Sequence, residues 1–137
     1  MYSWDRIIKE ENQNIAAYGK GLNLQLGSTI TAMLILEDNY YIIAHVGDTR
    51  VYKLTDESVS VLTEDQTVVA LEIKLGRLTL EQAKTDPRRN VLLQCVGASK
   101  VVEPAYYRGM VSANECYMLC SDGFRHVVTN EEILNAF

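Results

Sequence analysis

Between Thr29 and Leu62 the sequence reverses direction several times, and that density of turns constrains the fold more than any other feature. Thr29 to Glu37 and Tyr40 to Val46 read as strands, with Asp38-Asn39 as the turn between them. Gly47-Asp48 is a second turn, followed by a short strand through Val51, Tyr52 and Leu54. Thr55 to Ser58 turns again into Val59 to Leu62. Connections this short cannot carry a parallel crossover, which takes a dozen or more residues. The spacing predicts an antiparallel meander and excludes a doubly wound sheet.

Helical signals surround this block. From Ser3 to about Tyr18 the apolar residues Trp4, Ile7, Ile8, Ile15 and Ala16 recur at helical spacing, with Ser3 as N-cap and Gly19 and Gly21 as the stop. Thr63 with Gln66 has capping-box spacing for a helix from about Asp65 to Lys74. Thr79 with Gln82 repeats it for a helix ending before Asp86-Pro87, and Thr129 with Glu132 starts a third that continues to Phe137. Val91 to Cys95 and Glu115 to Cys120 read as buried strands, with another around Tyr106 to Met110. The order is α+β, without repeats.

Composition narrows the function classes. A chain of 137 residues with 47% apolar content and two prolines folds as one ordinary domain and is not disordered. A net charge of -5 without a basic stripe argues against a nucleic-acid partner. No apolar run approaches the ~20 residues needed to span a bilayer. The first residues lack a basic and apolar leader, so a soluble, cytoplasmic protein without a membrane partner is expected. Of the three cysteines, Cys116 and Cys120 fall on one strand, ~13 Å apart, which excludes a bridge between them. Together with Cys95 they read as core thiols and not as zinc ligands with His126.

Two segments pair an aspartate with glycine at the mouth of a strand: His45 to Arg50 and Cys120 to Gly123. A turn accounts for both, because turns need these residues. Asp122, however, follows the apolar run Tyr117 to Cys120, and a rigid carboxylate at a strand end suits Mg²⁺ or Mn²⁺. Arg88 and Arg89, with Lys74 and Arg77, either grip a phosphate or form a solvated face. His45 reads as a satisfied interior histidine, and His126 stays open. Nucleophile elbow, P-loop and dinucleotide glycine motifs are all missing.

The runs LGSTITAMLI, AHVGDTRVYKL, LTEDQT, LGRLTLEQAKTDPRRNVLLQCVG and YMLCSDGFRHVVTNEEI, in that order from Leu26 to Ile133, resemble the protein phosphatase 2C family in its bacterial form. These are PPM-type, metal-dependent serine/threonine phosphatases. The resemblance implies a layered α-β-β-α sandwich of two antiparallel sheets flanked by helices. It also implies Mg²⁺ or Mn²⁺ as cofactor and a phosphoprotein as substrate. Asp122 matches the metal-binding aspartate of the family's SDG motif, and Asp48 matches one that helps hold an additional metal. The segment from about 68 to 89, ending in Arg88 and Arg89, corresponds to a flap bordering the substrate cleft.

The departures are as informative. The family's opening strand, with its phosphate-binding arginine, and its Asp-Gly-x-Gly-Gly motif do not precede Ser3. The family's closing Asp-Asn pair has no counterpart, since Asp38-Asn39 lies in a hairpin turn. Gln66 stands where the family has histidine, and Asp86 where many bacterial flaps have it. Residues 1–137 are therefore expected to form a partial domain, an incomplete sandwich with little or no phosphatase activity alone. A non-catalytic, phosphatase-like binding or regulatory module is the alternative, and likeness of fold only a third. Unpaired sheet edges predict a homodimer that covers them, by exchange of the helix from Ser3 to Tyr18 among other routes, or marginal solubility.

Overall fold

Residues 2–136 are described by the computed structural model. Helix α1 runs Tyr2–Gly21, so Ser3 lies inside the first turn instead of capping it, and Gly19 and Gly21 stay helical. Two hairpins follow: β1 (Ile30–Ile35) with β2 (Tyr40–Val46), and β3 (Arg50–Thr55) with β4 (Ser58–Val61). After α2 (Val68–Lys74) and α3 (Leu80–Thr85) come β5 (Ala105–Met110) and β6 (Cys116–Cys120). The one-turn helix α4 (Asp122–Arg125) and α5 (Asn130–Ala136) end the described chain, and the expected helical end at Phe137 lies outside it.

The hairpins do not continue into one meander. β2 pairs with β1 and β5, whereas β3 pairs with β4 and β6, giving two antiparallel three-stranded sheets. The chain passes between sheets at Gly47–Thr49, and Gly47 makes the corner with φ +112. A Cβ on Gly47 would collide with Thr29 Cγ2, so only glycine fits here. The turn chemistry at Gly47-Asp48 was legible; that it swaps sheets was not, because turn residues do not encode which strands they separate.

The period-2 alternation of the strands sets the layers. Tyr41 and Ile43 of β2 meet Val51 of β3 between the sheets, joined by Met33, Tyr107 and Tyr117. Tyr41 and Tyr117 touch edge-on there, with ring centroids 5.5 Å apart. The alternate residues Ala44 and Val46 face outward onto Ile8 of α1, with Trp4, Ile15 and Tyr106 around them. On the far side Tyr52 and Leu54 lie under Ile133 of α5. The result is the α-β-β-α sandwich. Asn12 ties α1 to the following loops: its Nδ2 donates to Ser99 O at 3.1 Å, and its Oδ1 accepts from Gly97 N at 2.7 Å.

Three local expectations need correction. Thr63 and Gln66 do not cap a helix; α2 starts later, with Thr67 Oγ1 accepting from Ala70 N at 3.2 Å. Thr63 Oγ1 instead accepts from Val51 N at 3.2 Å. Val91 to Cys95 is not a strand, because its backbone makes only single bridges, Thr67 with Leu92 and, just beyond, Ser28 with Val96. Cys116 is exposed and not a core thiol; Cys95 and Cys120 are half-buried, and all three are free. By contrast, the box at Thr79 forms in full, Gln82 N to Thr79 Oγ1 at 3.2 Å and Thr79 N to Gln82 Oε1 at 2.9 Å. Thr129 and Glu132 make the same exchange, at 2.8 and 3.2 Å. Among the described residues no helix is long and apolar enough to cross a membrane.

Candidate functional site

Strand register brings the two Asp-Gly segments to one end of the second sheet. Arg50, which opens β3, lies opposite Cys120, which closes β6. Asp48 just before β3 and Asp122 just after β6 therefore emerge side by side. The SDG run, expected as a turn, is the first turn of α4, held by His126 N to Asp122 O at 3.1 Å.

Asp48 is buried, and a buried carboxylate needs a partner. Its partner is Arg125 of α4: Nη2 donates to Asp48 Oδ2 at 3.0 Å, with both side chains about 11% exposed. Arg125 Nη1 also stands 3.5 Å from Asp65 Oδ2. Arg50 forks onto the same Asp65, Nε to Oδ1 at 2.8 Å and Nη2 to Oδ2 at 2.7 Å, and its Nη1 donates to Tyr52 Oη at 3.3 Å. The bidentate contact with Asp65 holds the Arg50 guanidinium above even its usual range, so it stays charged. Two aspartates and two arginines thus alternate and cancel. Asp65, Arg50 and Arg125 were not singled out by sequence reasoning; Arg50 and Arg125 stand close to the two Asp-Gly segments, and Asp65 lies in the LTEDQT run.

Asp122 differs. It is half-buried, and its Oδ1 accepts only from its neighbour Gly123 N, at 2.9 Å. Among the described residues no cation is bonded to it. The corner that carries Asp48 is braced by Gln66, whose Oε1 accepts from Gly47 N at 2.8 Å and from Gln94 Nε2 at 2.9 Å, while its backbone N donates to Gly47 O at 2.8 Å. His45 is fully buried, as expected of an interior histidine. Its Nε2 faces the carbonyl of Glu64 at 3.0 Å and must donate, so Nδ1 accepts from Thr31 Oγ1 at 2.9 Å. Burial holds it neutral by lowering its pKa, against the opposing pull of the Glu64 carbonyl. His126 is exposed and receives only Arg125 Nη1, at 3.4 Å.

The four cations of the middle segment do not converge. Arg88 forks onto Asp86 at 3.1 and 2.9 Å, and that hydrogen bonding keeps Asp86 below the usual carboxylate range. Arg77 pairs with Glu72 at 3.5 Å and Lys74 with Glu64 at 3.0 Å, while Arg89 is exposed. A cleft of about 640 Å³ between α2 and the sheet ends has Arg50, Asp65, Lys74 and Tyr107 on its wall. Of the charged cluster, Arg50 and Asp65 therefore face that cleft.

A Mg²⁺ or Mn²⁺ centre draws most of its ligands from anionic oxygens. Here Asp48 and Asp65 are both engaged by arginine, and Asp122 stands without a second free carboxylate. Among the described residues no group of three or more His, Cys, Asp or Glu side chains could hold a metal ion. The donor set as arranged does not fit such a centre.

No family model matches the sequence. Protein phosphatase PhpP of Streptococcus pneumoniae is 31% identical over 127 residues, which is 92% of this chain and 51% of PhpP. The solved serine/threonine phosphatase of S. agalactiae matches with a TM-score of 0.88 at 31% identity, over 93% of this chain and 53% of that one. A catalytic domain of the serine/threonine protein phosphatase PstP, solved with two manganese ions, matches with a TM-score of 0.76 at 33% identity, over 91% of this chain and 52% of that one. The chain spans about half the length of the curated relatives it matches.

Proposed function

Because the chain belongs to the bacterial protein phosphatase 2C, or PPM-type, family of serine/threonine phosphatases, we propose that it serves as part of a metal-dependent domain that hydrolyses phosphoserine and phosphothreonine in proteins. The observation that carries this reading is the meeting of the Asp48 and Asp122 segments at one sheet end. Asp122, which has no cationic partner among the described residues, is the carboxylate this chain offers a Mg²⁺ or Mn²⁺ ion; Asp48, the second candidate of the family likeness, is already held by Arg125. The segment 68–89 acts as the flap, with Arg88 and Arg89 placed to meet a phosphoprotein once Arg88 leaves Asp86.

One free carboxylate is too few for Mg²⁺, which surrenders its water reluctantly. The chain by itself is therefore expected to turn over little or no phosphoester. With Mn²⁺ and p-nitrophenyl phosphate or a phosphothreonine peptide, its rate should equal the protein-free control. Metal-dependent turnover abolished by Asp122→Ala would contradict this and make the chain self-sufficient. A second reading, a phosphatase-like binding module without catalysis, is favoured by the neutralised Asp48–Arg125–Asp65–Arg50 cluster. Calorimetric binding of the phosphopeptide without hydrolysis, by the protein in its full-length form with Mn²⁺ present, would favour the module over the phosphatase.

A further inference from the structure

Asp48 is the more deeply buried of the two candidate carboxylates, and its charge is already answered. The guanidinium of Arg125 lies 3.0 Å from Oδ2, and the two side chains shield each other from water. Arg125 is fixed from the other side as well, by Asp65 at 3.5 Å, which Arg50 in turn holds with two short bonds. Its Nε is buried and without a hydrogen-bond partner, so the Nη contacts, to the two carboxylates and to His126 Nε2 at 3.4 Å, are what hold the group in place. A divalent ion approaching Asp48 would meet a like charge already seated on that carboxylate. Displacing it would strand a buried guanidinium, since Asp65 is shared with Arg50.

We infer that Arg125 is the resident cation of Asp48, so that this carboxylate is a salt-bridge anion and becomes a metal ligand only when Arg125 is removed or neutralised. The same contact pins α4, and with it Asp122, to the Gly47–Asp48 corner. Arg125 is a positioning residue in this sense, reaching the site through Asp48. The inference stands on the cluster's geometry and holds whether or not the protein hydrolyses phosphoesters, because its test reads metal binding.

The test is a titration of the chain with Mn²⁺, followed by the electron paramagnetic resonance signal of the free ion. Asp48→Asn should leave the affinity of the parent chain unchanged. Arg125→Gln should bind Mn²⁺ at least about tenfold more tightly than the parent, because it removes a like charge seated 3.0 Å from the carboxylate oxygen. That gain should vanish in the Arg125→Gln, Asp48→Asn double variant and be missing in Arg125→Lys, which keeps the charge. No gain in folded Arg125→Gln, or a comparable loss of affinity in Asp48→Asn alone, would overturn the inference. Should Arg125→Gln fail to fold, the parent chain decides: the ¹³C carboxyl resonance of Asp48 should stay in place during a Mg²⁺ titration, and a saturating shift would overturn the assignment.

Discussion

His45, by burial, and Glu115, by hydrogen bonding, show how single groups make this fold respond to pH. Burial lowers the His45 pKa below its usual 6.5, so the unfolded chain takes up the proton first. The stability His45 contributes is full above about pH 6.5 and declines as pH falls toward the lower folded value. Urea midpoints should therefore drop between about pH 7.5 and 5.5, and His45→Gln should flatten that slope. Glu115 sits in a different window. Its carboxylate accepts from Tyr117 Oη at 2.7 Å, Ser112 N at 3.0 Å and Lys53 Nζ at 3.1 Å, which hold its pKa down at about 2. Its contribution is complete above the usual 4.5 and is lost as pH falls from there toward 2. His45 was legible as interior from its apolar neighbours. Arg125 was not, because its partner Asp48 is 77 positions away and nothing local announces the pairing. Breaking that pair by Asp48→Ala should cost about 3 kcal/mol in urea unfolding, the usual cost of stranding a buried charge.

At the scale of elements, local chemistry succeeded where the answer was local. The box at Thr79 closes within one turn, so Thr79 and Gln82 were enough to place α3. Thr79→Ala should cost about 1 kcal/mol, and a thermal melt would detect it. Thr63 and Gln66 carry the same spacing, yet both are taken by tertiary partners, Val51 N and Gly47 N. A capping pattern therefore predicts a helix only where no strand competes for the side chains. Val91 to Cys95 fails for a related reason. Its apolar run looks like a buried strand, but Val91 O and Leu93 N are bonded to Val68 and Gln66, so the segment fastens the entry of α2 instead of joining a sheet. The sheet switch at Gly47 should be intolerant: Gly47→Ala forces both φ +112 and a clash with Thr29, costing about 2 kcal/mol or more.

The whole molecule is two small sheets, each with two edges, and β1 and β5 flank the first. Ile30, Leu34, Ile35, Tyr40 and Met110 are exposed along that sheet. Exposed apolar edges recruit partners, so sedimentation should show association that grows with concentration, and Leu34→Lys should weaken it. The layer order was legible only through likeness to the phosphatase family. The charge-balanced cluster was not, because it assembles from three separate segments, around Asp48 and Arg50, Asp65 and Arg125. The central claim is that two Asp-Gly segments meet at one sheet end with Asp48 closed by Arg125 and Asp122 without a cation among the described residues. A crystal of the chain soaked in Mn²⁺, with an anomalous map at the manganese edge, tests it most directly. The account predicts Arg125 seated on Asp48 and no manganese peak at that carboxylate. A manganese ion bound to Asp48 with Arg125 turned away would contradict it.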